Sequence, residues 1–309
     1  MPQIDQNGRL AHLLTLDGLG AARISDLLER AAALQQGAAP AAHCRGRTVA
    51  NLFFEPSTRT RASFDLAAQR LGCHVLNLDL DTSSTSKGET LLDTARTLAA
   101  MGADALVIRH KEAGVHAMLA EALPDTAILN AGEAHLNHPT QGLLDALTVR
   151  QRHADFSQLH MAIVGDLKHS RVARSAVHVF SQLGMGELRL VGPDALLPEA
   201  DLPGERYTDM DAGIRDCDVV MMLRIQKERM TAGNIPDASE YVTRYGLDER
   251  RLQLARKDAL VMHPGPMNRG VEISDAVADG RQAVIWKQVE NGVAVRMAVI
   301  ETLLAGRPA

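Results

Sequence analysis

Thr48-Val49-Ala50-Asn51-Leu52-Phe53-Phe54 runs into Glu55-Pro56 and then Ser57-Thr58-Arg59-Thr60-Arg61, and behind that pentapeptide Phe64, Ala67, Ala68 and Leu71 recur at helical spacing. The apolar run reads as a strand covered on both faces, and the stripe as one face of an amphipathic helix. The polar pentapeptide therefore sits on a strand-to-helix turn. Such a turn leaves unpaired backbone N–H groups at the positive end of the helix dipole, and hydroxyls plus a guanidinium complete an anion cradle. Capping alone needs one hydroxyl, whereas this turn carries three hydroxyls and two arginines. The ligand implied is one that carries a phosphate.

The same alternation continues in both directions. Short apolar runs stand at His74–Leu78, Ala105–Ile108 and Ala127–Leu129, then at His160–Val164, Glu187–Val191, Asp218–Leu223 and Ala259–Met262. Helical stripes such as Leu91/Ala95/Leu98 and Val172/Ala176/Val179/Leu183 lie between them. Strands alternating with helices imply parallel sheets with crossover connections, so the expected fold is α/β, each domain a parallel sheet flanked by helices. At 309 residues the chain is about twice an ordinary domain. The helix after Pro139, with Leu143, Leu144 and Leu147, ends near His153, which puts the boundary near residue 150. Two further stripes, Ile24/Leu27/Leu28/Ala31 and Val293/Met297/Ile300/Leu304, mark helices outside either strand series, and Gly37–Ala42 reads as a loop.

Composition excludes several classes. A formal charge of −5 and 3% aromatic residues offer neither the electrostatic footprint nor the stacking platforms of a nucleic-acid binder. Cys44, Cys73 and Cys217 are far apart, odd in number and in no CxxC pair, which argues against a disulfide framework or a zinc knuckle and fits a reducing cytosol. Met1–Leu10 lacks the apolar core of a signal peptide, and no apolar stretch approaches the length of a membrane span. The expectation is a cytoplasmic protein.

Further polar motifs follow the other strands. Arg109 stands just beyond Ala105–Ile108, and His138-Pro139-Thr140-Gln141 opens the helix after Ala127–Leu129. Gly165-Asp166-Leu167-Lys168-His169-Ser170-Arg171 follows the first strand of the second series, Leu223-Arg224-Ile225-Gln226 a later one, and His263-Pro264-Gly265-Pro266 the last. Ligands of open parallel sheets bind at the carboxyl ends of strands, where all of these lie. His135 and His138 beside Glu133 invite a metal reading, but Pro139 makes His138 a helix-start residue and no second ligand cluster follows.

In this order the motifs resemble the aspartate/ornithine carbamoyltransferase family, on its aspartate-accepting side, over nearly the whole chain. The resemblance implies a carbamoyl-phosphate-binding domain at 1–150, to which a C-terminal helix at 292–309 returns, and an aspartate-binding domain at 151–291. It implies that Ser57, Thr58, Arg59 and Thr60 hold the phosphate, with Arg61 structural. Thr60, Arg109 and His138 would polarise the carbonyl oxygen, and Gln141 would hold the amide. Arg171, Arg224 and Gln226 would hold the carboxylates of L-aspartate. The loop of Pro264, Gly265 and Pro266 would contact both substrates through its backbone, with Pro264 on the aspartate side and a cis bond at Gly265-Pro266. Many relatives carry leucine where this chain has Gly265.

Thr82-Ser83-Ser84-Thr85-Ser86-Lys87-Gly88-Glu89 reads by itself as a solvated loop. In the family the matching loop enters the neighbouring subunit's site, which implies a homotrimer with Ser83 and the catalytic Lys87 supplied in trans. The implied reaction is carbamoyl transfer from carbamoyl phosphate to L-aspartate, in pyrimidine biosynthesis, with no cofactor and no metal. The version Pro264-Gly265-Pro266-Met267-Asn268-Arg269-Gly270 is similar to that of members associating with dihydroorotase, so a dihydroorotase or a regulatory chain in a larger assembly stays open.

The nearest alternative, transfer to ornithine, uses an Asp-x-x-x-Ser-Met-Gly motif and a late-loop cysteine, and neither is present. A nicotinamide-dependent dehydrogenase would need a GxGxxG after Ile163-Val164, which is missing. A non-catalytic homologue would be expected to have lost motif residues that are present here.

Overall fold

The structure is a computed structural model of the chain and describes residues 3–78, 89–198, 202–225 and 238–307. It divides into two compact units, Met1–Leu144 with Asn291–Ala309, and Asp145–Glu290.

In the first unit the described elements are α1 (Ala21–Gln35), β1 (Thr48–Phe53), α2 (Thr58–Arg70), β2 (His74–Asn77), α3 (Leu91–Ala100), β3 (Ala105–His110), α4 (Val115–Ala122) and β4 (Ala127–Glu133). The strands form one parallel sheet in the order β2-β1-β3-β4. The central strands are apolar because helices cover both faces. Ala50, Leu52, Leu106, Ile108 and Ile128 pack with Ala95, Leu98 and Leu119 of α3 and α4 in one cluster. Each fully buried leucine or isoleucine there contributes roughly 1.5–3 kcal/mol. β2 is one of the two edge strands, and three of its four residues are exposed. The following helix α5 (Pro139–Arg150) starts in this unit.

The second unit contains β5 (His160–Val164), α6 (Arg171–Gln182), β6 (Glu187–Val191), β7 (Glu205–Tyr207), α7 (Met210–Ile214), β8 (Val219–Met222), α8 (Ala238–Tyr245), α9 (Glu249–Leu252), β9 (Leu260–Met262) and α10 (Asp275–Ala278). Its parallel sheet has the order β7-β6-β5-β8-β9. Val164, Val220, Met222 and Val261 pack against Tyr241 and Tyr245 of α8, whose rings stack with centroids 5.4 Å apart. In α6 the buried face runs through Ala173, Ala176, Val177 and Phe180, so Val172 and Leu183 of the expected stripe lie at its edge. β7 is absent from the sequence reading, because three residues of which two are exposed leave no periodic signal.

The C-terminal helix α11 spans Ile285–Leu304 and starts earlier than residue 292, where the resemblance put it. Trp286 and Val289 in its first turns are exposed, and Gly292 is a poor helix former, so the apolar pattern is broken although the helix is not. Its later turns pack on the first unit. The Arg30 guanidinium of α1 bonds both Glu301 oxygens, at 2.9 Å for Nη2 to Oε2, and Ala41 N donates to the same Oε2 at 2.9 Å. Gln35 donates to Asn291 (2.9 Å), and the Arg296 guanidinium lies 5.0 Å from the centroid of the Phe64 ring in α2. Burial pulls the Glu301 carboxyl upward, but Arg30 and the Ala41 N–H outweigh it and hold the group below its ordinary value.

Candidate active site

In the first sheet the chain steps from β1 outward to β2, then returns to the other side of β1 with β3. The carboxyl ends of β1 and β3 therefore flank the point where the strand order reverses, the place where open parallel sheets open a crevice for ligands. Ser57-Thr58-Arg59-Thr60 follows β1, and Arg109 is the last residue but one of β3.

Ser57 is the N-cap residue of α2, with extended backbone (φ −159°, ψ 91°), yet its side chain makes no capping hydrogen bond. The other hydroxyl and carboxylate N-caps of the described helices behave differently. Thr90, Ser170, Asp209, Asp248 and Ser274 each accept a bond from the backbone N–H three residues on. The α2 terminus thus keeps a hydroxyl that is not spent on its own backbone. Thr58 and Arg59 are exposed, Ser57 is half-buried and Thr60 is buried. Arg61 instead donates to Asn77 Oδ1 (3.2 Å), beside a polar seam in which Asn51 and Asn77 both donate to Asp65.

Arg109 lies inside β3, not beyond it as the apolar run alone implied. The strand continues to His110 because Arg109 stays in register with Phe53 and its carbonyl accepts from Phe54 N (2.9 Å). Its Nε donates to Glu55 Oε2 at 3.1 Å. Glu55, which reads only as the lead-in to the turn, is thereby a member of this cluster. A lone glutamate before a proline carries no pattern that would have revealed it.

His138 is buried at the start of α5, and its carbonyl accepts from Gln141 N (2.9 Å) and Gly142 N (3.3 Å). Gln141 is buried as well. The turn before His138 is braced by Glu133, which accepts from Gly114 N (2.7 Å), Asn130 (3.2 Å) and Asn137 (3.1 Å). Burial raises the Glu133 pKa, but His116, Asn137 and the Gly114 N–H outweigh that and hold the carboxyl below its ordinary value. Its oxygens are thus engaged in fixing the turn. Among the described residues no group of three or more His, Cys, Asp or Glu is arranged to hold a metal ion.

The second sheet repeats the reversal, with β6 and β7 on one side of β5 and β8 and β9 on the other. Arg171 belongs to the turn after β5 and Arg224 to the residues after β8, so both stand at this sheet's switch point. Asp166 Oδ1 accepts from His169 N (3.1 Å) and lies 3.0 Å from its Nδ1, which folds the turn back on itself. Ser170 then caps α6 through Ala173 N (3.1 Å), and Arg171 is the first residue of that helix, half-buried. Arg224 is exposed. Beyond β9, Pro264 and Gly265 are half-buried, Pro266 is exposed, and the Gly265-Pro266 bond is cis. Ser83, Lys87 and Gln226 lie outside the described residues.

A model of the aspartate/ornithine carbamoyltransferase carbamoyl-P binding domain matches residues 11–151, and one of the Asp/Orn binding domain matches residues 157–303. The aspartate carbamoyltransferase catalytic subunit of Xanthomonas campestris pv. campestris is 54% identical over 98% of both chains, and that of Stenotrophomonas maltophilia is 52% identical over 98% of both. Aspartate transcarbamoylase from Trypanosoma cruzi, solved in complex with carbamoyl aspartate and phosphate, superposes with a TM-score of 0.84 at 33% identity, covering 94% of this chain and 95% of that one. Ornithine carbamoyltransferase from Thermus thermophilus shares the fold, with a TM-score of 0.85 at 23% identity over 95% of this chain and 99% of that one. The chain belongs to the aspartate/ornithine carbamoyltransferase family.

Proposed function

We propose that the protein transfers the carbamoyl group of carbamoyl phosphate to the α-amine of L-aspartate, giving N-carbamoyl-L-aspartate and phosphate, an early step of pyrimidine biosynthesis. The observation that carries this reading is the placement of two polar clusters at the switch points of two separate parallel sheets. One cluster is rich in hydroxyls and helix N–H groups, the other in guanidinium groups. The first suits a phosphate and the second suits planar carboxylates, which pair with the guanidinium fork in a bidentate manner.

In this reading residues 1–150 with the returning C-terminal helix bind carbamoyl phosphate and residues 151–291 bind aspartate. Ser57, Thr58, Arg59 and Thr60 hold the phosphate, with Ser83 of a neighbouring chain and the backbone of Gly265 and Pro266. Thr60, Arg109 and His138 donate to the carbonyl oxygen, and Gln141 holds the amide. Arg171, Arg224, Gln226, Pro264 and the neighbour's Lys87 hold the aspartate. The uncharged amine attacks the carbonyl carbon, the new C–N bond forms, the C–O bond to phosphate breaks, and the amine passes one proton to the departing phosphate. Negative charge builds on the carbonyl oxygen, where preorganised donors contribute ~3–4 kcal/mol each. The remaining acceleration comes from holding the two substrates in line.

Specificity for an acidic acceptor follows from charge, since Arg171 and Arg224 would repel the cationic side chain of ornithine. A cytoplasmic homotrimer accompanies this reading. The exposed Leu66 and Leu76, on α2 and the edge strand β2, support an interface on that face. Among the described residues no helix is long and apolar enough to cross a membrane. The experiment is a comparison of turnover with carbamoyl phosphate and either L-aspartate or L-ornithine. Aspartate turnover is expected, and a preference for ornithine would overturn the assignment.

A further inference from the structure

Glu272 is fully buried and belongs to no motif of the sequence. Its Oε1 is 3.1 Å from His263 Nε2 and accepts from Asn268 N at 2.6 Å. One carboxylate oxygen thereby ties together both ends of the loop that carries Pro264, Gly265 and Pro266. Inside the loop, Gly265 N donates to His263 Nδ1 at 2.8 Å. An Nδ1 that accepts a hydrogen bond carries no proton, so the neutral ring must hold its proton on Nε2, pointing at Glu272. From the far end, Asn268 Nδ2 donates to the carbonyl of Ile225 (3.0 Å), the residue after Arg224. The root of the loop is fixed too, because His263 N donates to Gln288 Oε1 (2.9 Å) and Gln288 donates to Asp145 (2.8 Å).

We infer that Glu272 is a positioning residue that sets the His263 tautomer and, through Asn268, locks the Pro264–Pro266 loop to the strand end bearing Arg224. The inference rests on the carbamoyl-transfer reading above and names what holds its acceptor side in place. Glu272 touches no substrate in this scheme. Among the described residues its other oxygen, Oε2, is buried without a hydrogen-bond partner, as is the Tyr241 hydroxyl. Leaving a buried carboxylate oxygen unsatisfied destabilises the fold. A carboxylate kept at such a cost, while Oε1 serves both ends of a loop, fits a role in alignment better than one in stability.

The experiment uses the full-length chain with carbamoyl phosphate and L-aspartate. Glu272→Gln keeps an acceptor oxygen for His263 Nε2 and Asn268 N and puts its amide where Oε2 has no partner. It is expected to stay within about threefold of the parent in kcat/KM for aspartate. Glu272→Ala removes the acceptor and is expected to lose roughly tenfold or more, mainly as a raised KM for aspartate, with a smaller loss of affinity for inorganic phosphate because the Gly265 and Pro266 backbone shifts with the loop. The imidazole 15N spectrum of the parent protein gives a readout that needs no folded variant, with a protonated Nε2 and a bare Nδ1 expected at His263. Equal losses in the two variants, an unchanged Glu272→Ala, or a proton on Nδ1 overturns the inference. Absence of aspartate carbamoylation by the parent defeats the underlying reading instead, so the two failures are distinguishable.

Discussion

Replacing Gly165 by alanine strikes the second sheet at its switch point. Gly165 follows β5 with φ 134°, a backbone conformation that residues with a Cβ rarely adopt, and forcing one there costs about 1–3 kcal/mol. The added Cβ would lie 3.0 Å from Leu223 Cβ and 3.4 Å from both the Leu223 carbonyl oxygen and the Tyr241 hydroxyl. Relieving such overpacking costs a further ~1–3 kcal/mol. Leu223 cannot retreat freely, because its N–H bonds the Val164 carbonyl at 2.8 Å. The shift would therefore pass along the backbone to Arg224, and, given the role proposed for Arg224, misplacing it by ~1 Å costs about 10²-fold in rate. Gly165→Ala is expected to lose roughly 3 kcal/mol in urea unfolding and ~10–100-fold in kcat/KM for aspartate. Gly184→Ala is the control, since its φ of 76° carries strain but no atom of the described residues lies within 4 Å of the new Cβ. It should cost only ~1–2 kcal/mol and leave the kinetics unchanged. A Gly165→Ala protein indistinguishable from that control in both measurements would refute the reasoning.

Other outcomes follow from the same geometry. If Lys87 acts across a trimer interface, Lys87→Ala and His138→Ala chains, each inactive alone, should recover about one quarter of parental activity after mixing and reassembly, and no recovery would count against shared sites. Arg109→Lys keeps the charge near Glu55 but loses the planar fork, so kcat should fall about 10²-fold with little change in KM for aspartate, as steady-state kinetics would show. Burial, aided by the charge of Arg307, pushes the His12 imidazole from 6.5 down to about 4, and its Nδ1 accepts from Ile128 N at 3.1 Å. Between these two values the unfolded chain binds a proton that the folded one refuses, so stability falls as pH drops from 6.5 towards 4 and is flat above 6.5. The contribution is at most roughly 3 kcal/mol, and His12→Asn should flatten the urea midpoint across this window.

The parts of the fold legible in the sequence are those whose physics is local. β4 is buried at all seven positions and β5 at four of five, so their apolar runs betray them. β7 is not legible, since its place in the sheet comes from pairing with β6 and not from its own Glu205-Arg206-Tyr207. The same division holds at the site. Motif residues are concentrated in turns of unusual composition, whereas Glu55 and Glu272 are single carboxylates. The first is identified by an arginine 54 residues away and the second by a histidine nine residues before it, contacts that only the folded chain creates.

The two switch points differ in how the helix that follows is capped. Both α2 and α6 begin after a central strand with a serine at the N-cap. In α6 Ser170 Oγ accepts from Ala173 N, so that N–H is spent on the cap and the end has one fewer donor to offer an anion, which leaves charge to come from Arg171. In α2 the Ser57 side chain takes up no first-turn N–H, and it stands with the exposed Thr58 and Arg59 and the buried Thr60. A phosphate, with several oxygens to satisfy, gains from a cluster of hydroxyl and N–H donors, whereas a planar carboxylate is met by one guanidinium fork. In the proposed reading, the chemistry each unit binds is thus set less by its shared strand-turn-helix frame than by whether a first-turn N–H is already spent on the cap.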